Sequence, residues 1–296
     1  MDIVFNINHL GLEGLGSTLS SLVRNCSNTK ELTLWFLISD FEKDDRSNIN
    51  ELLTSEGFKG KIEFVTFNAK ERFGYLKSLH GDWTTYGRLL IPSIIESDRA
   101  LYLDSDTVVL VDVLSLREFD FGNYYLAACR YSNHSQSSET TFFIDQLGFS
   151  PDAAYFNAGV LYFNLKLWRE LKIDEILTAF SVKYPNPKLA DQTLFNGICK
   201  GEFAVLPPNY NNPWYPNENE PKMPAEDSII HFVGSPKPWD LFARFIHRGV
   251  HQWSSYNSKF WKAKYGKISV AKLQRTWEIK NSILLNFAKR SGLLKK

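Results

Sequence analysis

Cysteine is sparse in this chain, and none of it forms a paired motif. Cys26, Cys129 and Cys199 are the only three cysteines, and they stand too far apart for a Cys-x-x-Cys pair or a zinc knuckle. A low, odd count of this kind is typical of proteins in a reducing compartment. We therefore expect a cytoplasmic protein without a disulfide framework.

Long hydrophobic runs are also absent. No stretch of about 18 apolar residues occurs, so no membrane-spanning helix is expected. The opening residues MDIVFNINHL lack a basic region followed by a long apolar one, so they are not predicted to be a signal peptide. What the chain does contain is 44% hydrophobic and 23% charged residues over 296 positions. These values favour one α/β domain with an appendage.

A net charge of only +1 hides a strong asymmetry. Residues 259–296 carry eleven lysines or arginines against one acid, Glu278, which leaves −9 for residues 1–258. Apolar residues Val270, Leu273, Trp277, Leu284 and Phe287 share one helical stripe among these charges. Such a segment is typical of a helix at an anionic membrane surface. We therefore divide the chain into a domain at 1–255 and a membrane-association segment at 256–296.

Two other interpretations of the basic segment stay open. It could form helices that pack on their own domain and leave their cations in water. Nucleic-acid binding is disfavoured, because no nucleic-acid fold signature accompanies the charge.

The first third of the chain alternates between strand and helix patterns. Strands are predicted at 2–6, 32–38 and 61–67, with helices at 11–24 and 44–55 between them. This β-α-β-α-β rhythm predicts an α/β fold with a mainly parallel sheet and helices on both faces. Ligands of such sheets bind at the carboxyl ends of the strands.

The rest of the chain is less regular. We predict a helix over 85–96 interrupted at Pro92, strands at 100–103, 107–111, 155–165 and 229–233, a long loop or lid over 131–150, and irregular structure over 207–224. No internal repeat or low-complexity linker is present.

The sequence LYLDSDTVV contains a pair of carboxylates at the end of a predicted strand. Asp104 and Asp106 stand two residues apart, with Ser105 between them. Buried carboxylates are costly unless a positive group binds there, and their oxygens suit Mg²⁺ or Mn²⁺. Aspartates are also common in turns, so this motif alone leaves a metal site and an ordinary turn equally open.

A second motif, HFVGSPKPW, follows another apolar strand. His231 can offer an imidazole nitrogen to a metal, Gly234 allows a phosphate to approach the backbone, and Lys237 can pair with a phosphate. A lone histidine is more often structural, but the glycine and lysine at useful offsets favour a ligand site.

Two polar groups interrupt otherwise apolar stretches. Asp191-Gln192 precedes a helical pattern, where the aspartate could simply be a helix N-cap. Asn157 lies inside the apolar run FNAGVLYFN, where its amide needs partners that either a sugar hydroxyl or a backbone turn would supply.

Five stretches occur in this order along residues 1–240: MDIVFNIN, TTYGRLLIP, LYLDSDTVV, FNAGVLYFNLKLWR with DQTLFN, and HFVGSPKPW. Together they make the chain resemble glycosyltransferase family 8, in particular its bacterial lipopolysaccharide and lipooligosaccharide galactosyl- and glucosyltransferases.

This resemblance implies a GT-A fold and an enzyme that retains anomeric configuration while moving a hexose from a UDP-sugar to a cell-envelope glycan. Asp104, Asp106 and His231 would hold Mn²⁺ or Mg²⁺. Gly234 and Lys237 would contact the diphosphate. The remaining implied ligands are Arg88 for donor sugar or phosphate, Ser105 for the ribose, Asn8 for the uracil, and Asn157, Asp191 and Gln192 for the donor sugar.

The family also implies a front-face reaction, in which the departing phosphate accepts the proton of the acceptor. Asp191 and Gln192 would then act at the reacting centre as positioning and electrostatic groups. Two positions depart from the family pattern, because Asn8 stands where an acidic residue is often found and Cys129-Arg130-Tyr131 lacks an expected aspartate. The alternatives are a metal-dependent nucleotidyltransferase and a non-catalytic peripheral membrane protein of the same fold.

Overall fold

The computed structural model describes residues 1–216, 218, 223, 225–291 and 293, and strands dominate its centre. Most strands are short, apolar and buried. In chain order they are β1 (Asp2–Ile7), β2 (Thr33–Ile38), β3 (Lys61–Thr66), β4 (Arg99–Leu103), β5 (Thr107–Val109), β6 (Leu126–Asn133), β7 (Ala154–Asn164), β8 (Ala204–Val205), β9 (Asn212–Trp214) and β10 (Ile229–Phe232).

Seven of these strands form one mixed sheet in the order β3-β2-β1-β4-β7-β6-β8. β1 is parallel to both β2 and β4, whereas β7 is antiparallel to β4. The register pairs Leu103 with Val160, and the amide of Asp104 donates to the carbonyl of Gly159 at 2.8 Å. The carboxyl end of β4 therefore lies beside the middle of β7.

A small second sheet lies beside this edge. β10 runs between β5 and β9, antiparallel to the former and parallel to the latter. Its register pairs His231 with Thr107, one residue after Asp106. The second sheet thus brings the histidine motif to the aspartate motif, although 125 or so residues separate them in the chain.

Helices cover both faces of the large sheet. Successive residues of β1 are buried on opposite sides, with Ile3 and Phe5 in one apolar core and Val4 in the other. The helices are α1 (Leu12–Asn25), α2 (Asp45–Ser55), α3 (Ala69–Phe73), α4 (Ile91–Ile94), α5 (Leu165–Glu170), α6 (Ile173–Lys183), α7 (Asp191–Cys199), α8 (Val250–Tyr256), α9 (Lys259–Tyr265), α10 (Val270–Glu278) and α11 (Lys280–Arg290).

Residues 84–94 differ from the predicted interrupted helix. A 3₁₀ helix spans Thr84–Leu90 and the short α4 continues from it. Pro92 lies in the first turn of α4, where its missing amide hydrogen breaks no helical hydrogen bond. The proline therefore begins a helix here rather than interrupting one.

The polar segment predicted as a loop over 131–150 is more ordered than expected. It contains the end of β6, a 3₁₀ turn at His134–Gln136 and a π-helix at Thr141–Gln146. The buried ring of His134 contacts Phe143 and Phe149, and this aromatic packing outweighs the many serines of the segment. Of the predicted irregular stretch 207–224, residues 217, 219–222 and 224 lie outside the described residues.

The predicted membrane-association segment begins with a helix that packs on the domain. Trp261 of α9 is fully buried in the core beside α1, and its indole donates to the carbonyl of Leu12 at 2.8 Å. α10 and α11 follow with their apolar side chains exposed, Trp277 at 70% and Leu284 at 66%. Residues 292 and 294–296 of this segment lie outside the described residues. In the described part of the chain no helix has the length and apolarity needed to cross a membrane.

Candidate active site

Asp104 stands directly after β4, and each oxygen of its carboxylate has a different environment. Oδ1 accepts a hydrogen bond from Arg88 at 2.9 Å and another from the hydroxyl of Tyr102. Tyr102 lies two residues earlier on the same strand, so strand alternation puts both side chains on one face. Oδ2 faces the ring of His231, with Nε2 at 3.8 Å.

Asp106 shows the same division. Its Oδ2 pairs with the ammonium of Lys237 at 2.6 Å, while Oδ1 is buried and receives no hydrogen bond from the described residues. Burial alone would raise the pKa of Asp106, but Lys237 and His231 together hold that pKa below its usual range. The carboxylate is therefore ionised at every physiological pH.

His231 presents one nitrogen to these carboxylates and the other to the protein. Its Nδ1 donates to Oδ1 of Asn211 at 2.9 Å, and its Nε2 lies 3.3 Å from Oδ1 of Asp106. A Cβ atom at Gly159 would come within 2.2 Å of the imidazole Cε1, so only glycine leaves room for the ring in this position. The fold therefore makes space for the histidine at the carboxylate pair.

These three side chains fit a divalent cation. Asp104 Oδ2, Asp106 Oδ1 and His231 Nε2 converge, and one ligand atom from each lies within 4.8 Å of the other two. The carboxylate oxygens suit Mn²⁺ and Mg²⁺, and the imidazole nitrogen favours a transition-metal ion such as Mn²⁺ over Mg²⁺. Oδ1 of Asp106 is buried and accepts no hydrogen bond from the described residues. This favours a cation there, because a buried ionised oxygen without a partner is costly.

Arg88 connects Asp104 to a third carboxylate, that of Asp191. Its Nε lies 3.0 Å from Oδ2 of Asp191, and its Nη1 donates to the carbonyl of Ala158 at 2.8 Å. Burial raises the pKa of Asp191 to about 6, although Arg88 and a hydrogen bond from Thr85 oppose this effect. The site therefore contains one carboxylate whose protonation changes just below neutral pH.

Asp191 is the first residue of α7 and does not cap it. The cap position belongs to Ala190, whose φ of +51° is an unfavourable conformation for a residue with a Cβ. Strained residues of this kind are concentrated at functional sites. The turn sets the direction in which the side chain of Asp191 points toward Arg88.

Gln192 and Asn157 contact each other beside this turn. Nδ2 of Asn157 donates to Oε1 of Gln192 at 3.0 Å, and the amide of Ala158 donates to the same oxygen at 3.1 Å. Nε2 of Gln192 donates to the hydroxyl of Tyr155 at 2.7 Å. The half-buried amide of Asn157 thus finds its partners within the protein.

The remaining predicted ligands lie around this centre. Asn8 uses its oxygen to cap a 3₁₀ turn through the amide of Gly11 at 3.0 Å, and its Nδ2 donates to Asp82. The carbonyl of Ser105 accepts from Thr18. Gly234 has a φ of +82°, a conformation that favours glycine, and a Cβ atom there would contact Pro216 and Tyr215 at 3.9 and 4.0 Å.

Sequence reasoning did not identify several residues that build the site. Tyr102 could have been found from its i, i+2 spacing to Asp104, and Thr85 from its position three residues before Arg88. Asn211, Tyr155 and Glu139 gave no signal, because their contacts depend on three segments that only the tertiary fold brings together.

Comparisons with known proteins identify the family of this chain. The model of glycosyl transferase family 8 matches residues 2–242. A Haemophilus influenzae protein assigned as a glycosyltransferase is 28% identical over 81% of this chain and 73% of its own length. Lipopolysaccharide 1,2-glucosyltransferase of Escherichia coli is 29% identical over 58% of this chain and 49% of its own length.

Solved structures support the same fold. The galactosyltransferase LgtC, crystallised with donor and acceptor sugar analogues, superposes with a TM-score of 0.71 at 23% identity. The match covers 89% of this chain and all of LgtC. The predicted α/β fold of GT-A type is thus confirmed, and the chain belongs to glycosyl transferase family 8.

Proposed function

We propose that this protein is a metal-dependent, retaining hexosyltransferase that moves galactose or glucose from a UDP-sugar to a cell-envelope glycan such as lipopolysaccharide or lipooligosaccharide. The observation that carries the proposal is the convergence of Asp104 Oδ2, Asp106 Oδ1 and His231 Nε2 beside Lys237 and Arg88. Family membership and the glucosyltransferase relative in Escherichia coli support the choice of substrate class.

Lys237 and Gly234 suit the diphosphate of such a donor. The ammonium of Lys237 already pairs with Asp106 and with the carbonyl of Phe232, so it is held beside the cation site. When bound, Mn²⁺ or Mg²⁺ supplies positive charge that stabilises the diphosphate leaving group. Lys237 adds a second positive charge at the same place, and Gly234, which has no side chain, suits a close approach of the phosphates to its backbone.

Arg88, Asp191, Gln192 and Asn157 suit the hexose of the donor. Arg88 orients the carboxylate of Asp191, which can accept hydrogen bonds from sugar hydroxyls. In the front-face reaction, the departing phosphate accepts the acceptor proton, so no strong base is needed. Asp191 and Gln192 then orient the reactants and stabilise the positive charge that develops on the sugar.

The nucleoside is assigned to Ser105 and Asn8. Ser105 lies between the two aspartates, where it suits the ribose. Asn8 follows β1, where it suits the uracil. Its side-chain oxygen Oδ1 has a second lone pair beyond the one that accepts from Gly11.

We further propose that the enzyme is cytoplasmic and binds the inner face of the membrane peripherally. The apolar face of α10 and α11 is exposed, and 259–296 carries eleven basic residues. An acceptor embedded in the membrane favours an enzyme that remains at its surface.

The test is UDP release by the purified protein with Mn²⁺, measured for UDP-galactose, UDP-glucose, UDP-N-acetylglucosamine and their GDP counterparts. One UDP-hexose should be hydrolysed slowly in the absence of acceptor, and faster with a lipooligosaccharide extract. Equal rates for UDP- and GDP-sugars would contradict the assignment of Asn8. No release from any donor, with the extract present, would favour a non-catalytic protein of this fold.

A further inference from the structure

A continuous chain of hydrogen bonds runs from the candidate metal ligand His231 into the protein interior. Every link has a donor and an acceptor with normal geometry. In order, the links are His231 Nδ1 to Asn211 Oδ1 (2.9 Å), Asn211 Nδ2 to Asn157 Oδ1 (3.1 Å), Asn157 Nδ2 to Gln192 Oε1 (3.0 Å), Gln192 Nε2 to Tyr155 Oη (2.7 Å) and Tyr155 Oη to Glu139 Oε2 (2.9 Å).

Two backbone amides fix the direction of this chain. The N–H of Ala158 points at Gln192, and the N–H of Gly159 points at Asn157, at 3.1 and 2.9 Å. A backbone N–H can only donate, so the side-chain atom that it meets must be the carbonyl oxygen. The amide groups of Gln192 and Asn157 therefore have one orientation each.

The orientation of Asn157 determines that of Asn211 and His231. Because the oxygen of Asn157 faces Asn211, the atom of Asn211 that meets it must be the NH₂ group. The oxygen of Asn211 is then left for His231, whose Nδ1 must carry a proton. Nε2, the nitrogen beside Asp104 and Asp106, is consequently the one available to a cation.

The orientation of Gln192 determines the other end. Its NH₂ group donates to Tyr155, so the tyrosine hydroxyl has to place its own hydrogen elsewhere. Glu139 accepts it, and the second oxygen of this buried carboxylate accepts from Thr193, next to Gln192 in α7. Each oxygen of Glu139 thus accepts one hydrogen bond, and the series of hydrogen bonds ends there.

We propose that Asn211 and Tyr155 are positioning residues at the two ends of this chain. Asn211 holds His231 in the Nδ1–H form that a cation requires. Tyr155, oriented by Glu139, holds the amide of Gln192 against the position of the donor sugar. The two residues act on different partners, so their loss should give different defects.

The first experiment measures Mn²⁺ binding to the free protein by electron paramagnetic resonance. Asn211→Leu should raise the Mn²⁺ dissociation constant 10- to 100-fold, roughly the effect of losing an outer partner of a metal-bound histidine. Asn211→Asp keeps an oxygen for His231 but loses the donor to Oδ1 of Asn157, so it should weaken Mn²⁺ binding less than Asn211→Leu does. Tyr155→Phe should not change the constant. An unchanged constant in Asn211→Leu would refute the role of Asn211.

The second experiment measures kcat and KM for UDP release. Tyr155→Phe should lower kcat about tenfold with little change in KM, because Nε2 of Gln192 loses its acceptor and the side chain is then held only through its oxygen, by Ala158 and Asn157. Tyr125→Phe is the matched control, since it also loses a tyrosine hydroxyl. That hydroxyl donates to the carbonyl of Ile198, which is not part of this series of hydrogen bonds. Equal kcat values for the two variants would refute the role of Tyr155.

The kcat experiment rests on the proposed function. A third measurement tests the inference independently of that function. ¹⁵N-edited spectra of the metal-free protein should show a proton on Nδ1 of His231 that disappears in Asn211→Leu. A wild type that releases no UDP but shows this proton would contradict the proposed function alone. A proton found only on Nε2 would overturn the inference whatever the activity.

Discussion

The side chain of Asp191 shows how burial sets the chemistry of a single residue in this site. It is almost inaccessible to solvent, lies beside Arg88 and accepts from Thr85. Burial dominates, so its pKa is raised to about 6. An aspartate in an open turn would be ionised throughout the physiological range, whereas this one accepts a proton in mild acid.

This raised pKa predicts how Asp191→Asn alters stability with pH. Between about pH 4 and 6 the folded state retains a proton on Asp191 that the unfolded state has lost, so the wild type loses stability as pH rises through that window. The variant lacks this loss. Its free energy of unfolding relative to wild type should increase by roughly 2–3 kcal/mol from pH 4 to pH 7.

Urea denaturation of both proteins at pH 4, 5, 6 and 7 measures this difference. A difference in unfolding free energy that stays constant across the series would contradict the raised pKa. The Arg88–Asp191 ion pair forms only when Asp191 is ionised, so its effect is already contained in the pKa of Asp191 and is not an additional contribution to the slope.

At the scale of elements, helix α10 supports the loop that carries Lys237. Arg275 forms a two-pronged ion pair with Asp240, at 2.6 and 3.0 Å, and Asp240 also accepts from the backbone amide of Lys237 at 2.6 Å. Asn286 of α11 donates to the carbonyl of Ser235 in the same loop. The basic C-terminal helices therefore contact the region assigned to the diphosphate.

Arg275→Ala is expected to raise KM for the UDP-sugar about fivefold, because Asp240 loses its cation and the loop loses a fixed position. This corresponds to about 1 kcal/mol, a modest value since Arg275 is partly exposed. Lys272→Ala is the matched control: it removes an ion pair of the same helix, with Glu13, that does not touch the loop. Equal KM values in both variants would contradict the role of Arg275.

The elements also show what the sequence predicts and where it fails. Strong apolar periodicity in β1, α1, β2 and α2 predicted these elements to within a residue or two. It failed at 84–94 and 131–146, where a proline at a helix start and a buried aromatic cluster decide the local structure. Asp104, Asp106 and His231 came from motifs, while Asn211 and Glu139 enter the site through tertiary contacts alone.

At the scale of the whole molecule, the exposed apolar face of α10 and α11 predicts binding to anionic membranes. The double variant Leu273→Ser/Trp277→Ser should bind phosphatidylglycerol vesicles several-fold more weakly, because it loses exposed apolar surface that enters the interface. Vesicles of phosphatidylcholine alone should bind the wild type weakly.

The matched control for the vesicle experiment is Ile176→Ser/Val182→Ser. These two residues of α6 are exposed to a similar extent, but they lie outside the basic segment. Cosedimentation measures all three proteins. Equal binding of the two double variants would contradict membrane association through the C-terminal helices.

Metal-dependent transfer is tested by Mn²⁺-dependent UDP release from wild type and Asp106→Asn, with and without a chelator. Asp106 supplies the buried oxygen that has no donor among the described residues, so its replacement removes a cation ligand without enlarging the side chain. The chelator and the substitution should each abolish release, while the circular dichroism spectrum of the variant remains that of the folded wild type; its unfolding midpoint should fall, because Lys237 loses its ion pair with Asp106. Normal turnover by Asp106→Asn, or release that survives the chelator, would contradict a metal-dependent transferase.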